Sequence, residues 1–305
     1  MLEVELDIFS GMPNPKWILS ESEEKELLDI ITSERTQISP MYAPNEVIGL
    51  GYGGFIVREI KTDEGIWNRT NRALEISIPR EFRVGSKPAK QAPATEWLLK
   101  TSEKIGNEVT DELRKAVAKD VKLVPSSNEV VDLDTYTNSE SIEDLTRRWS
   151  VCPWNYLDKN AYAFNRPENI GVNNCYCFAA NHLAGIRYAR PGRRGGRELN
   201  GINCSEVRAG LLADGWKDSC LGPSSWTITI ACVVWPGNDY HFYRLVTNES
   251  EGSLWGHKRG GTAARYTDEC GHNICCGKTP ENICREGYMD FCGYFYADNA
   301  LIQVK

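Results

Sequence analysis

The chain opens on LEVELDIF (residues 2–9), where apolar and acidic residues alternate with period two, the pattern of a strand with one buried face. The turn cluster Ser10-Gly-Met-Pro-Asn-Pro15 follows, and residues 16–20 form the return strand. Ser20 or Ser22 then caps a helix running to about Thr32, with Leu27, Leu28, Ile30 and Ile31 on its apolar side. The glycine-rich stretch IGLGYGGFIVREI (residues 48–60) reads as a strand or bulge. It is not a phosphate loop, since neither a helix pattern nor a Lys-Ser/Thr pair follows it. Residues 73–78 make a short strand. Residues 95–118 form a helix that turns Trp97, Leu98, Leu99, Leu113 and Val117 inward. Residues 1–125 are thus a small α+β unit with no evident chemistry, and the polar residues 126–150 are a linker holding one short helix at 140–148.

The pattern changes after residue 150. In GVNNCYCFAANHLAG, Asn173 or Asn174 is placed to cap a helix whose Cys175, Phe178, Ala179 and His182 share a face. An Arg- and Gly-rich stretch (187–199) reads as a mobile surface loop with a solvated charge run. A second helix spans 204–216. Residues 225–235, almost all apolar or β-branched, form a central strand covered on both faces. A turn at 236–239 leads to an alternating strand at 240–246, a polar hairpin loop at 248–252, and a returning strand at 253–258. The fold class is therefore α+β: a small N-terminal unit, then a helix-plus-antiparallel-sheet domain over residues 151–305.

Composition narrows the partners. A formal net charge of −7 and a pI near 5.3 argue against nucleic-acid or anionic-membrane surfaces. No stretch approaches the roughly 18 apolar residues of a membrane span. All 11 cysteines lie at or after Cys152, and sequons occur at Asn68, Asn203 and Asn248. Met1 leads straight into a charged strand, so the expectation is a mature secreted chain whose leader has been removed. An odd cysteine count leaves at least one thiol without an intrachain partner. Five disulfides and one spared nucleophile would satisfy the count. Cys270, Cys275, Cys276, Cys284 and Cys292 crowd the tail beside His272. Their spacing fits no standard zinc finger, so disulfides that staple the tail are expected, with no metal and no cofactor.

A cysteine in the first turn of a helix meets the positive end of the helix dipole, which favours thiolate. The competing reading makes Cys175 half of a disulfide. Adjacent antiparallel strands can set His241 and His257 side by side on one face, and a helix laid across that sheet would bring the Cys175 sulfur to His241. A thiol, an imidazole base and a third polar group to orient the base are what acyl transfer needs. His182 reads as a satisfied helix histidine.

Cysteine at a helix start, then histidines on consecutive strands, resembles the papain-like cysteine hydrolases, most closely the NlpC/P60 type. The resemblance rests on NNCYCFAANH, DYHFYRL, LWGHKRGG and DFCGYFY and covers roughly residues 150–296. It implies a secreted amidase or peptidase acting on an amide or peptide, with Cys175 as nucleophile, His241 as general base and His257 as its orienting partner. The backbone N–H of Cys175 with Asn173 or Asn174 would form the oxyanion hole. Asp239 competes for the orienting role, and Tyr240, Tyr243 and Trp255 would line the cleft. Cys177, two residues on, departs from the family pattern. As a whole, cysteine-rich and secreted, the chain is also similar to the luciferases of syllid fireworms. That resemblance implies a small luciferin held between helix and sheet, among some of the nine tryptophans and thirteen tyrosines. A non-catalytic recognition or toxin-like module, with structural histidines, is the third reading.

Overall fold

The alternation at the N-terminus produces β1 (Leu2–Leu6), which pairs antiparallel with β2 (Lys16–Ile18) and with β4 (Phe55–Glu59). The computed structural model describes residues 1–33, 38–39, 52–60, 78–86, 92–120, 161–221, 227–248, 252–298 and 301–305. The linker at 126–150 with its short helix, most of the strand at 73–78, Asn68 and Cys152 lie outside the described residues. The chain divides into two compact units, Met1–Phe9 with Pro13–Ser127, and Ser10–Met12 with Asn128–Lys305. Ser10–Met12, read from the sequence as a turn of the first unit, thus belongs to the second.

In the first unit, five antiparallel strands run in the order β2-β1-β4-β5-β3, with β3 at Ile38–Ser39 and β5 at Glu81–Val84. Leu2, Val4 and Leu6 are buried on one side of β1. The acidic side of β1 does not face open water. Arg58 donates to Glu3 and Glu5 at 2.9 and 2.8 Å, and Lys16 lies 3.1 Å from Glu5. Helix α1 (Glu21–Ser33) buries Leu27, Leu28 and Ile31, and it begins on a capping box. The Ser20 N–H donates to Glu23, whose own N–H points back at the Ser20 hydroxyl. The single helix expected over 95–118 is three segments: α2 (Pro93–Thr101), a 3-10 stretch (Ser102–Glu108) and α3 (Asp111–Asp120). Gly106, at a φ of 56°, makes the break, a backbone state that costs glycine little and other residues much.

In the second unit, α4 (Ala161–Phe164), α5 (Pro167–Ile170), α6 (Cys175–Ala179) and α7 (Cys204–Ala213) accompany a five-stranded antiparallel sheet. Its order is β10-β6-β7-β8-β9, with β6 at Thr227–Trp235, β7 at Asp239–Asn248, β8 at Gly252–Lys258, β9 at Ala264–Arg265 and β10 at Asp290–Asp298. All nine residues of β6 are buried, as its unbroken apolar run requires of a strand covered on both faces. Ile228, Ile230, Cys232 and Val234 of β6, with Tyr240 and Phe242 of β7, share one core with Cys175, Tyr176, Phe178, Val207 and Leu211 from the helical side.

The opposite sheet face carries His241, Tyr243, Trp255 and His257, and it is covered by the segment 259–289. There Gly287 lies so close over the Trp235 ring that a Cβ would come within 2.8 Å of it. Disulfides Cys204–Cys292 and Cys270–Cys284 tie α7 to β10 and close the covering loop. The 187–197 stretch is not a loose surface loop. Asp214 accepts from the N–H groups of Gly192 and Gly195, each at 2.7 Å, and Arg197 pairs with Glu206 at 3.0 Å.

Candidate functional site

Cys175 opens α6 with Asn174 as N-cap, whose side-chain oxygen accepts from the Cys177 N–H at 3.2 Å. The helix is short. It ends at Ala179, and Asn181 turns the chain at a φ of 50°, so His182 is not on it. The His182 Nδ1 instead accepts from the Val304 N–H at 3.2 Å. Cys175 is fully buried, with its Sγ 4.0 Å from the Tyr240 carbonyl oxygen. Burial, reinforced by the nearby Asp239 carboxylate, pushes its thiol well above the ordinary range. The dipole of a five-residue helix does not offset that desolvation, so the thiolate expected from helix position alone is not favoured here. Cys175, Cys177 and Cys232 are all buried free thiols, which replaces the picture of one spared nucleophile among five disulfides.

His241 takes the other side of the sheet. Successive side chains of a strand point to opposite faces. Tyr240 and Phe242 face Cys175, so His241 and Tyr243 face away from it. The Cys175 sulfur and the His241 ring are therefore not brought together, and the nucleophile–base pair inferred from the sequence does not assemble. The asparagines are structural pins. Asn174 Nδ2 donates to the Ala189 carbonyl at 2.8 Å and Asn173 Nδ2 to the Asn169 carbonyl at 3.0 Å, so both amide groups are already engaged with the backbone.

Asp239 does not orient His241. It is buried and accepts from the N–H groups of Ser10 (2.7 Å), Gly11 (3.1 Å) and Met12 (2.9 Å) and from the Tyr288 hydroxyl (2.7 Å). Tyr240, Tyr243 and Trp255, expected at a cleft, are all buried. The Tyr240 hydroxyl reaches the Gly11 carbonyl, Tyr243 stacks on His257 with centroids 4.8 Å apart, and Trp255 stacks on Tyr294 at 5.5 Å.

The two histidines do meet. His241 Nε2 and His257 Nδ1 lie 2.7 Å apart in a fully buried hydrogen bond. The pairing is diagonal, because His257 stands directly opposite Tyr243. His257 Nε2 is 2.7 Å from the Thr267 carbonyl oxygen, an acceptor, and 3.1 Å from Arg265 Nε, a donor, so its two neighbours ask for opposite tautomers. Burial first, then the guanidiniums of Arg259 and Arg265, hold both rings well below the usual histidine range and hence neutral.

Around this pair sits a carboxylate that the sequence reading missed. Glu269 is fully buried, its Oε2 held by Arg259 and by Arg265 at 2.7 Å, while its Oε1 lies 3.9 Å from His257 Nδ1 without a hydrogen-bond partner. Glu269 stands next to Cys270 in a loop with no periodicity, so nothing in the sequence pattern pointed to it. Cys270, weighed above as a zinc ligand, is consumed by its disulfide with Cys284.

A third polar feature is Lys258, buried on the helical side. Its ammonium donates to the carbonyls of Ile170 (2.7 Å), Asn173 (2.6 Å) and Gly260 (2.7 Å). It locks the approach to α6 onto the end of β8.

Fold and site together define a disulfide-stapled α+β protein with a buried polar cluster on one face of the sheet of its second unit. Over 135 residues the chain is 38% identical to Insoluble matrix shell protein 1 of Ruditapes philippinarum, a match spanning 42% of this chain and 86% of that protein. The chain belongs to the family of that shell protein. No family model matches it, and no solved structure does. Among the described residues, no helix is long and apolar enough to cross a membrane.

Proposed function

We propose that this protein is an extracellular, disulfide-stapled component of an insoluble matrix, its cysteine-bearing unit serving assembly or recognition and not acyl transfer. The observation that carries this reading is the separation of Cys175 and His241 onto opposite faces of β7, with both side chains fully buried. A cysteine hydrolase needs its thiol and imidazole within hydrogen-bond reach in a space that substrate can enter. The luciferin reading needs a cavity between helix and sheet, and there Tyr176, Phe178, Tyr240 and Phe242 pack against one another instead. Kinship with a protein named for an insoluble shell matrix supports the extracellular assignment, as does cystine formation in the second unit.

Fractionation of the source tissue, followed with an antibody to the chain, tests the proposal. The chain is expected in extracellular material that resists saline and mild detergent and is released by denaturant with reductant. Recovery as a freely soluble protein that hydrolyses amide substrates, with the activity abolished by Cys175→Ala, would overturn it. Light on mixing the purified chain with a luciferin and oxygen would put the luciferase reading in its place.

A further inference from the structure

We propose that His241, His257 and Glu269 form a buried binding site for a zinc-class transition-metal ion. His241 Nε2, His257 Nδ1 and the Glu269 carboxylate lie within 4.8 Å of one another, and all three residues are buried. Two imidazole nitrogens and one carboxylate oxygen make the donor set that suits zinc and its neighbours, and not calcium, which takes six to eight oxygens.

Two features of the surroundings point to a ligand. The first is the outer contact of His257: the Thr267 carbonyl lies 2.7 Å from Nε2, placed to take the ring proton as backbone carbonyls do for metal-binding histidines, and it competes there with the Arg265 Nε at 3.1 Å. The second is the carboxylate. Arg259 and Arg265 both hold Oε2, which orients Glu269 and leaves its Oε1 buried with no hydrogen-bond partner, on the side of His257 Nδ1. With metal bound, His241 Nε2 becomes a ligand and the ring proton moves to Nδ1, which is buried without a hydrogen-bond partner.

The rings need little movement. Two nitrogens on one tetrahedral zinc stand about 3.4 Å apart, as zinc–nitrogen bonds of about 2.0–2.1 Å require. The present separation is 2.7 Å. The ion would take the place of the proton between the two rings, which moves to His241 Nδ1, so binding releases no net proton from the imidazoles.

Electrostatics decides which ions are excluded. Two guanidiniums flank the carboxylate, so a weakly held hard cation gains too little from one oxygen to offset their repulsion. Only an ion that bonds strongly to imidazole can do so. The site joins β7, β8 and the loop after β9, so metal would fasten the covering segment onto the sheet.

Metal analysis of natively secreted protein, with zinc and cobalt(II) titrations of the folded chain, tests the proposal. We expect one equivalent of zinc per chain and a rise in Tm on zinc addition. The cobalt(II) form should show visible ligand-field bands without thiolate charge transfer. Glu269→Gln and His241→Ala should each weaken zinc binding by at least about tenfold, whereas His272→Ala, at a half-exposed histidine outside the triad, should leave it unchanged. Near-UV circular dichroism establishes that each variant is folded. Absence of zinc binding by the folded wild-type chain would overturn the site. So would full affinity in a folded Glu269→Gln variant, or a thiolate charge-transfer band that moves the metal to the buried cysteines. The wild-type spectrum decides even if both substitutions prevent folding.

Discussion

Tyr240 and His241 are consecutive residues of β7 and face opposite layers, Tyr240 against Cys175 and His241 against His257. That one step of the chain separates the thiol from the imidazoles. It makes the thiol part of an apolar core and the imidazoles part of a polar one.

Alkylation of the native protein should therefore spare Cys175, Cys177 and Cys232, which are buried, and label Cys276, which is exposed. Iodoacetamide labelling followed by peptide mapping checks this. Rapid labelling of Cys175 near neutral pH would contradict the burial and restore the nucleophile reading. A Cys175→Ala variant should fold, at a cost of about 1 kcal/mol or somewhat more for the lost packing of one buried sulfur.

Lys258, itself fully buried, supplies three charge-assisted hydrogen bonds to backbone carbonyls. Lys258→Met keeps the stem and removes the donors, and it should destabilise the second unit by about 3 kcal/mol. Urea unfolding gives the figure. A change under about 0.5 kcal/mol would mean that the carbonyls find other donors.

The elements around this site were largely legible in the sequence. The period-two runs at 240–246 and 253–258 are β7 and β8, and the apolar run before them is β6. An asparagine cap, left open between Asn173 and Asn174, and the placing of His241 and His257 as neighbours also follow from local pattern. Which face the helix covers could not be read there. Phase along a strand says that Tyr240 and His241 point apart, not which of them meets α6. Strand β10 was missed as an element because DFCGYFYAD, bulged between Phe291 and Gly293, breaks the alternation. Glu269, Arg259 and Arg265 lie on or beside irregular turns, where only three-dimensional closure brings them to the histidines.

Glu5 gives a pH dependence to the first unit. Burial alone would raise its pKa. The hydrogen bond from Asn14 and the charges of Lys16 and Arg58 outweigh burial and hold it at about 2. A carboxyl whose folded pKa is depressed contributes stability above its unfolded value near 4.5, and that contribution fades as pH falls towards 2. Glu5→Gln should cost about 2 kcal/mol at pH 7 and almost nothing near pH 2. Urea denaturation of the wild-type and Glu5→Gln chains at the two pH values measures it; an equal cost at both would remove the electrostatic account.

Asp239 holds the Ser10–Met12 segment through three backbone N–H groups, and Gly11 lies flat on the Tyr240 ring, where a Cβ would come within 2.3 Å. Asp239→Ala should destabilise the second unit by about 3 kcal/mol, because it strands buried donors. Gly11→Ala should destabilise it too, by forcing the ring from its place. Thermal unfolding of both variants, with Asn14→Ala as a comparison that belongs to the first unit, separates this local effect from a general one.

The claim of Asp239 on Ser10–Met12 also bears on how such a gene can be cut and joined. The second unit is written in two pieces, one of them three residues long and lying inside the coding stretch of the first. A fragment beginning after residue 127 would lose those three residues and leave three binding directions of a buried carboxylate unfilled. Shuffling at a single junction therefore cannot transplant the second unit whole. Its inheritance is tied to that of its neighbour by a tripeptide.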